Sequence, residues 1–337
     1  MRMRRRWDTW TLAVAFLMPM AVLAAPVPPG DAAAKFETAK GDDAVKMRED
    51  ILANAPAKSA ITDRERYVSE LGQALIDRKI FEGTNVDGQL SAAITMAQLQ
   101  AVGADKALNA MLASPNAGVR YWGARGIMDI AGAIKMLGTG RTLTEARMAL
   151  NNALGKETSH VVKKQIIGAV VAIDDTAGMI GALQRIASQL QAGFPDPDSL
   201  QVIVTALGGA GTGGGADAKF SLAGLAKKTL NQSQKTQVGQ AVANIVSFAV
   251  QQQQAMPVEE RPPNYHEGVL ALVNAGVEFV NALTGEKISG PISGDAKMTS
   301  MLVGMAFGSP DGNEGKPQEG KLQQTLKDVK IPATIKK

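Results

Sequence analysis

Residues 108–134 read Leu108-Asn-Ala-Met111-Leu112-Ala-Ser114-Pro115-Asn116-Ala-Gly-Val119-Arg120-Tyr121-Trp122-Gly123-Ala-Arg125-Gly126-Ile127-Met-Asp-Ile130-Ala-Gly-Ala-Ile134. Leu108, Met111 and Leu112 step by three and four, the spacing that gathers side chains on one stripe of a helix. Ser114-Pro115-Asn116 interrupts that run, because proline cannot sit inside a helix and asparagine favours its start. Val119, Gly123, Gly126/Ile127, Ile130 and Ile134 then resume the helical step. The stretch therefore predicts two helices joined by a short turn, beginning near residue 104, with no alternation that would suit a strand.

A second unit of the same kind runs over 145–173. Ala146, Ala149/Leu150 and Ala153/Leu154 mark its first helix, and Val162, Ile166, Ala169/Val170 and Ile173 its second. Val162 follows Val119 by 43 residues, and Leu154 follows Leu112 by 42, so one residue is gained in the turn. The segment Leu112-Ala-Ser-Pro115-Asn116-Ala-Gly-Val119-Arg120-Tyr-Trp-Gly-Ala124 resembles HEAT and armadillo-type repeats, in which a helix, a Pro-containing turn with Asp or Asn, and Val-Arg with a small residue follow in order. The second unit departs in detail, with Lys156-Glu157-Thr158-Ser159 where Pro and Asn stood and Lys163 at the position of Arg120. The resemblance implies an all-α fold, an irregular α-solenoid of stacked hairpins, because one hairpin cannot bury its own apolar face.

Working outward, Tyr67/Val68, Leu71 and Leu75 predict a helix capped by Asp63 and stopped by Gly83, and Leu90, Ala93/Ile94, Ala97 and Ala101 predict another. Beyond Asp174 the period degrades. Helices are expected over 179–190, around Val238, Val242, Ile245/Val246 and Ala249, over 265–283 and over 298–307, with a turn at 194–198 and a Gln/Pro-rich linker at 251–263. The expected organisation is a segment 1–24 that is removed, a linker and first helix at 25–59, a helical-repeat domain at 60–307 and a flexible tail at 308–337.

Segment 1–24 carries Arg2, Arg4, Arg5 and Arg6 ahead of the apolar run 11–24, which ends in small residues. That order is the signature of a cleaved signal peptide, and the run is shorter than the about 20 residues a membrane span needs. The expected location is therefore periplasmic or secreted, with no membrane insertion after cleavage. Removal of four arginines and one aspartate takes the formal charge from +4 to +1, so no nucleic-acid partner is expected. The chain has 337 residues, 45% hydrophobic, 20% charged and only 4% aromatic, which fits a globular helical protein packed through small residues. It has no cysteine, which excludes disulfides, thiolate metal sites and cysteine nucleophiles, and only two histidines.

Motifs for chemistry are thin. Gly209-Ala-Gly211-Thr-Gly213-Gly214 fits a phosphate-binding pattern, yet no Asp or Glu occurs over 218–258 to hold a ribose, so it reads as an interhelix loop. His160 and His266 have no paired ligand spacing. The acidic pairs Asp42-Asp43, Asp174-Asp175 and Glu259-Glu260 sit at expected helix ends or linkers, and Asp311-Gly-Asn313-Glu314-Gly315 lacks the register of a calcium loop. No catalytic residue, metal or cofactor is assigned, and the chain is read as no enzyme. What remains is a surface. With Val119, Gly123 and Gly126/Ile127 inward, Tyr121, Arg125 and Met128 face outward, and Lys164 takes the position of Tyr121 one repeat on. In HEAT-like stacks the second helices line the concave side, so the resemblance makes Tyr121, Arg125 and Lys164 the expected binding row for another exported protein. The alternative is an exported enzyme or small-ligand binder whose pocket is closed by the glycine-rich loop 208–215.

Overall fold

The computed structural model describes residues 25–191, 222–261 and 265–285, together with 202–203, 207, 306 and 320–322. The expected signal segment 1–24, the turn 194–198, the loop 208–215, the helix at 298–307 apart from Ala306, and the tail at 308–337 apart from 320–322 lie outside the described residues. All regular structure among the described residues is helical: α1 (Pro29–Thr38), α2 (Gly41–Asn54), α3 (Ile61–Asp77), α4 (Val86–Leu99), α5 (Asp105–Met111), α6 (Ala117–Leu137), α7 (Gly140–Lys156), α8 (His160–Ile173), α9 (Thr176–Gln191), α10 (Leu222–Ala226), α11 (Gln232–Ala255) and α12 (Tyr265–Thr284).

The decisive stretch folds as its spacing requires. Asn116 caps α6, its side-chain oxygen accepting from the Gly118 N–H at 2.9 Å. Its amide nitrogen donates to Gln89 Oε1 at 3.1 Å, which ties the turn back to α4. The Ser114 hydroxyl donates to the Phe81 carbonyl at 2.6 Å in the interior, so every residue of the Ser-Pro-Asn turn but the proline is anchored by its side chain. Val119, Ile127, Ile130 and Ile134 are buried on one stripe of α6, each worth about 1.5–3 kcal/mol when removed from water. Val162, Ile166, Val170 and Ile173 do the same on α8.

The helices pack in two rows. In one, α1 lies on α3, α3 on α5, α5 on α7 and α7 on α9; in the other, α2 lies on α4, α4 on α6 and α6 on α8. The α6–α8 pairing is the most extensive, so the second helices of the two hairpins lie side by side. Beyond α9 the order changes: α11 packs on α9, and α12 on both α10 and α11.

Several boundaries differ from the sequence reading. Residues 25–59 hold two helices, not one, and Ala32, Ala33, Phe36 and Ile51 from them enter the core. Alanine and charge dominate there, so the few large apolar anchors were too sparse to show a period. Asp63 lies inside the first turn of α3 rather than capping it; Ala60 holds the cap position without a side-chain bond. That helix stops at Asp77, because Lys79 turns into the left-handed region at φ 53°, well before Gly83. Helix α4 is buried on most of its faces, since α1, α2 and α6 all press on it, whereas Leu90 and Ile94 of the expected stripe are only half-buried. Helix α7 begins at Gly140, five residues before the expected start, with the Thr139 hydroxyl accepting from Thr142 N–H at 3.2 Å. Residues 251–255 of the expected linker continue α11, which starts from a reciprocal Asn231–Gln234 capping box.

Candidate binding surface

Tyr121 and Arg125 stand on α6 and Lys164 on α8, which packs against it. The three residues are not equally open. Tyr121 is half-buried and packs against the core, its ring meeting Trp122 edge-on at 5.6 Å and 86°. Its hydroxyl accepts from Gln165 Nε2 at 3.2 Å, a bond that crosses from α8 to α6. Tyr121 is thus an interhelix rivet with one edge at the surface. Arg125 is half-buried and bonds Asp129 one turn on at 3.1 Å, and Lys164 is exposed.

Sequence reasoning missed the residue that joins the two hairpins. Glu157, 3% exposed, closes the turn before α8 and receives Arg120 in a two-point contact at 2.7 and 3.0 Å. The other arm of Arg120 reaches back to the Ser114 and Pro115 carbonyls, each at 2.9 Å. One guanidinium therefore holds its own turn and the next one. Glu157 also accepts from Thr158 N–H at 3.0 Å and Ser159 N–H at 2.9 Å, which fixes the turn leading into α8. Burial pushes the Glu157 carboxyl up, but Arg120 and these two N–H groups outweigh it and hold the group below its ordinary value. The same pair raises Arg120. The signal was present as a carboxylate three residues before the first residue of a helix, on the side where negative charge is favoured.

Beside this joint, a groove of about 500 Å³ runs between α5 and α7. Asn109, Asn152 and Lys156 line it, with Arg120 and Glu157 at its end. Asn109 lies on the first helix of one hairpin and Asn152 on the first helix of the next.

The remaining candidates stay apart. His160 is exposed at the start of α8, and His266 on α12 bonds Gln253 through its ring nitrogen. Asp42 and Asp43 lie in the first turn of α2, and Glu259 and Glu260 in a single turn after α11. Asp174 pairs with Lys228 at 2.6 Å, and Asp175 pairs with Arg147 at 3.3 Å. Among the described residues no three His, Asp or Glu side chains gather as metal ligands, and no helix is long and apolar enough to cross a membrane. Comparison of the chain with family models, with curated proteins and with solved structures gives no match.

Proposed function

We propose that the chain is an exported helical-repeat protein that binds another exported protein across the surface formed by α6 and α8, with Tyr121, Arg125 and Lys164 as contacts. The observation that supports this reading is the α6–α8 pairing, which sets side by side two helices whose residues correspond 43 positions apart in sequence. A rigid backing supports it: Tyr121 is held by Trp122 and Gln165, and an aromatic whose rotamer is already fixed loses little entropy on binding. Arg125 and Lys164 add positive charge around it, and Asp129 orients the former. Export rests on the basic and apolar order of 1–24, and the repeat reading on the offset of 42 and 43 residues between the helices of two hairpins.

The test is capture of a partner from the exported fraction by the processed protein, compared with Tyr121→Ala, Arg125→Glu and Lys164→Glu. Each of the three should lose the same partner, by tenfold or more for Tyr121→Ala. Retention of that partner by all three variants removes the surface from consideration.

A further inference from the structure

A second groove, of about 420 Å³, lies along α3, where Pro26, Pro56, Asp63, Arg66, Tyr67 and Glu70 line it. Asp63, Tyr67 and Glu70 fall at the three-and-four spacing of one helical stripe, so two carboxylates flank one phenol. Tyr67 is only 7% exposed, and its hydroxyl has no hydrogen-bond partner among the described residues. A buried hydroxyl left unbonded is costly, and burial raises the Tyr67 phenol above its ordinary value, so it stays protonated. Asp63 has Arg66 at 3.2 Å on the surface, while Glu70 has no ion pair among the described residues. The wall at Pro56 is fixed, because Arg64 donates to the Pro56 carbonyl at 2.6 Å. The groove thus offers two carboxylates against one guanidinium, beside a buried hydroxyl that lacks a partner, a combination suited to an ammonium group.

The chain itself can deliver one. Val27 packs against the core and α1 starts at Pro29, so the backbone is anchored two residues after Ala25. Pro26, Pro28 and Pro29 fix their own φ angles, and Pro26 confines Ala25 to extended conformations, so holding this stretch in place loses little entropy. Pro26 already lines the groove, and the next Cα back along the chain is about 3.8 Å away. We propose that cleavage after Ala24 creates an α-ammonium at Ala25 that docks in this groove, donating to Glu70, Asp63 and the Tyr67 hydroxyl. The device rests on the export reading, since only cleavage there makes a charged nitrogen of Ala25; in the uncut chain the same atom is a neutral amide. Processing then adds a clamp between the start of the chain and α3.

The experiment uses the full chain, exported and purified, with its terminal residue established by mass. Processed protein is exposed briefly to an amine-acetylating reagent at pH 7, and the acetylation rate at Ala25 is compared with that in Asp63→Asn/Glu70→Gln and in Tyr67→Phe, each checked for an unchanged helical spectrum. Docking predicts at least fivefold faster acetylation in the double variant and about twofold in Tyr67→Phe, which keeps the ring and so protects the fold. Equal rates in all three proteins, on a terminus shown to be Ala25, overturn docking and leave export standing. A purified exported protein that retains 1–24 overturns both.

Discussion

Arg120 and Arg125 are five residues apart on one helix, each beside a carboxylate, and yet they should contribute very differently. Arg125 and Asp129 sit at the surface with 43% and 24% of their side chains exposed, so Arg125→Ala should cost no more than about 0.5 kcal/mol. Glu157 is buried, and removing Arg120 leaves its charge without a counterion, so Arg120→Ala should cost about 3 kcal/mol, read from denaturant midpoints. The pH dependence follows from the direction of the Glu157 shift. Its folded pKa is lowered, so its contribution is complete above the ordinary carboxylate value and is lost as pH falls through the lower folded one. The stability difference between wild type and Glu157→Gln should therefore be largest near neutrality and shrink below about pH 4; a difference that is constant with pH would count against the assignment. In sequence, Arg120 was legible as part of the Val-Arg pattern, but its partner was not. Glu157 stands in a turn 37 residues away, where an acidic side chain is unremarkable until the fold covers it.

At the scale of the element, α6 works because it is thin on the side that meets α4 and α5. A Cβ added at Gly123 would lie 2.9 Å from Met111 Cβ and 3.0 Å from the Leu108 carbonyl oxygen, contacts that cannot yield without moving backbone. At Gly126 it would lie 3.2 Å from Ala97 Cα as well as against Leu108. Gly132 on the same helix has nothing within 4 Å. Alanine is the better helix former by about 1 kcal/mol, so propensity alone predicts that all three Gly→Ala changes stabilise. Packing reverses the sign at two of them. Gly132→Ala should raise stability by about 0.5–1 kcal/mol, whereas Gly123→Ala should lower it by about 1–3 kcal/mol, with thermal melts of the two variants as the check. That α6 is a helix was legible from its period. Which of its glycines are pressed upon was not, since that depends on the neighbours that approach.

The described helices mostly touch those one and two places along the chain, so disturbance should stay local. Ile166 is fully buried on α8, the helix that packs most extensively on α6, and Ile166→Ala should cost about 2–5 kcal/mol. In native-state hydrogen exchange the loss of protection should concentrate in α6, α7 and α8 and leave α1, which packs on α2, α3 and α4, near its wild-type values. Uniform loss from α1 to α12 would mean instead that the described helices open as one unit. The sequence by itself determined the all-helical class and the two hairpins of 104–134 and 145–173, the first bounded more closely than the second, whose opening helix starts at Gly140, because a three-and-four step acts through near neighbours on one segment and only the first hairpin has a Ser-Pro-Asn break. Only the tertiary structure decided that residues 29–54 belong to the core, that Tyr121 is held between two helices, and that Arg120 and Glu157 form the joint. The physical reason is that burial belongs to a pair of surfaces, and no single stretch of chain states which surface will cover it.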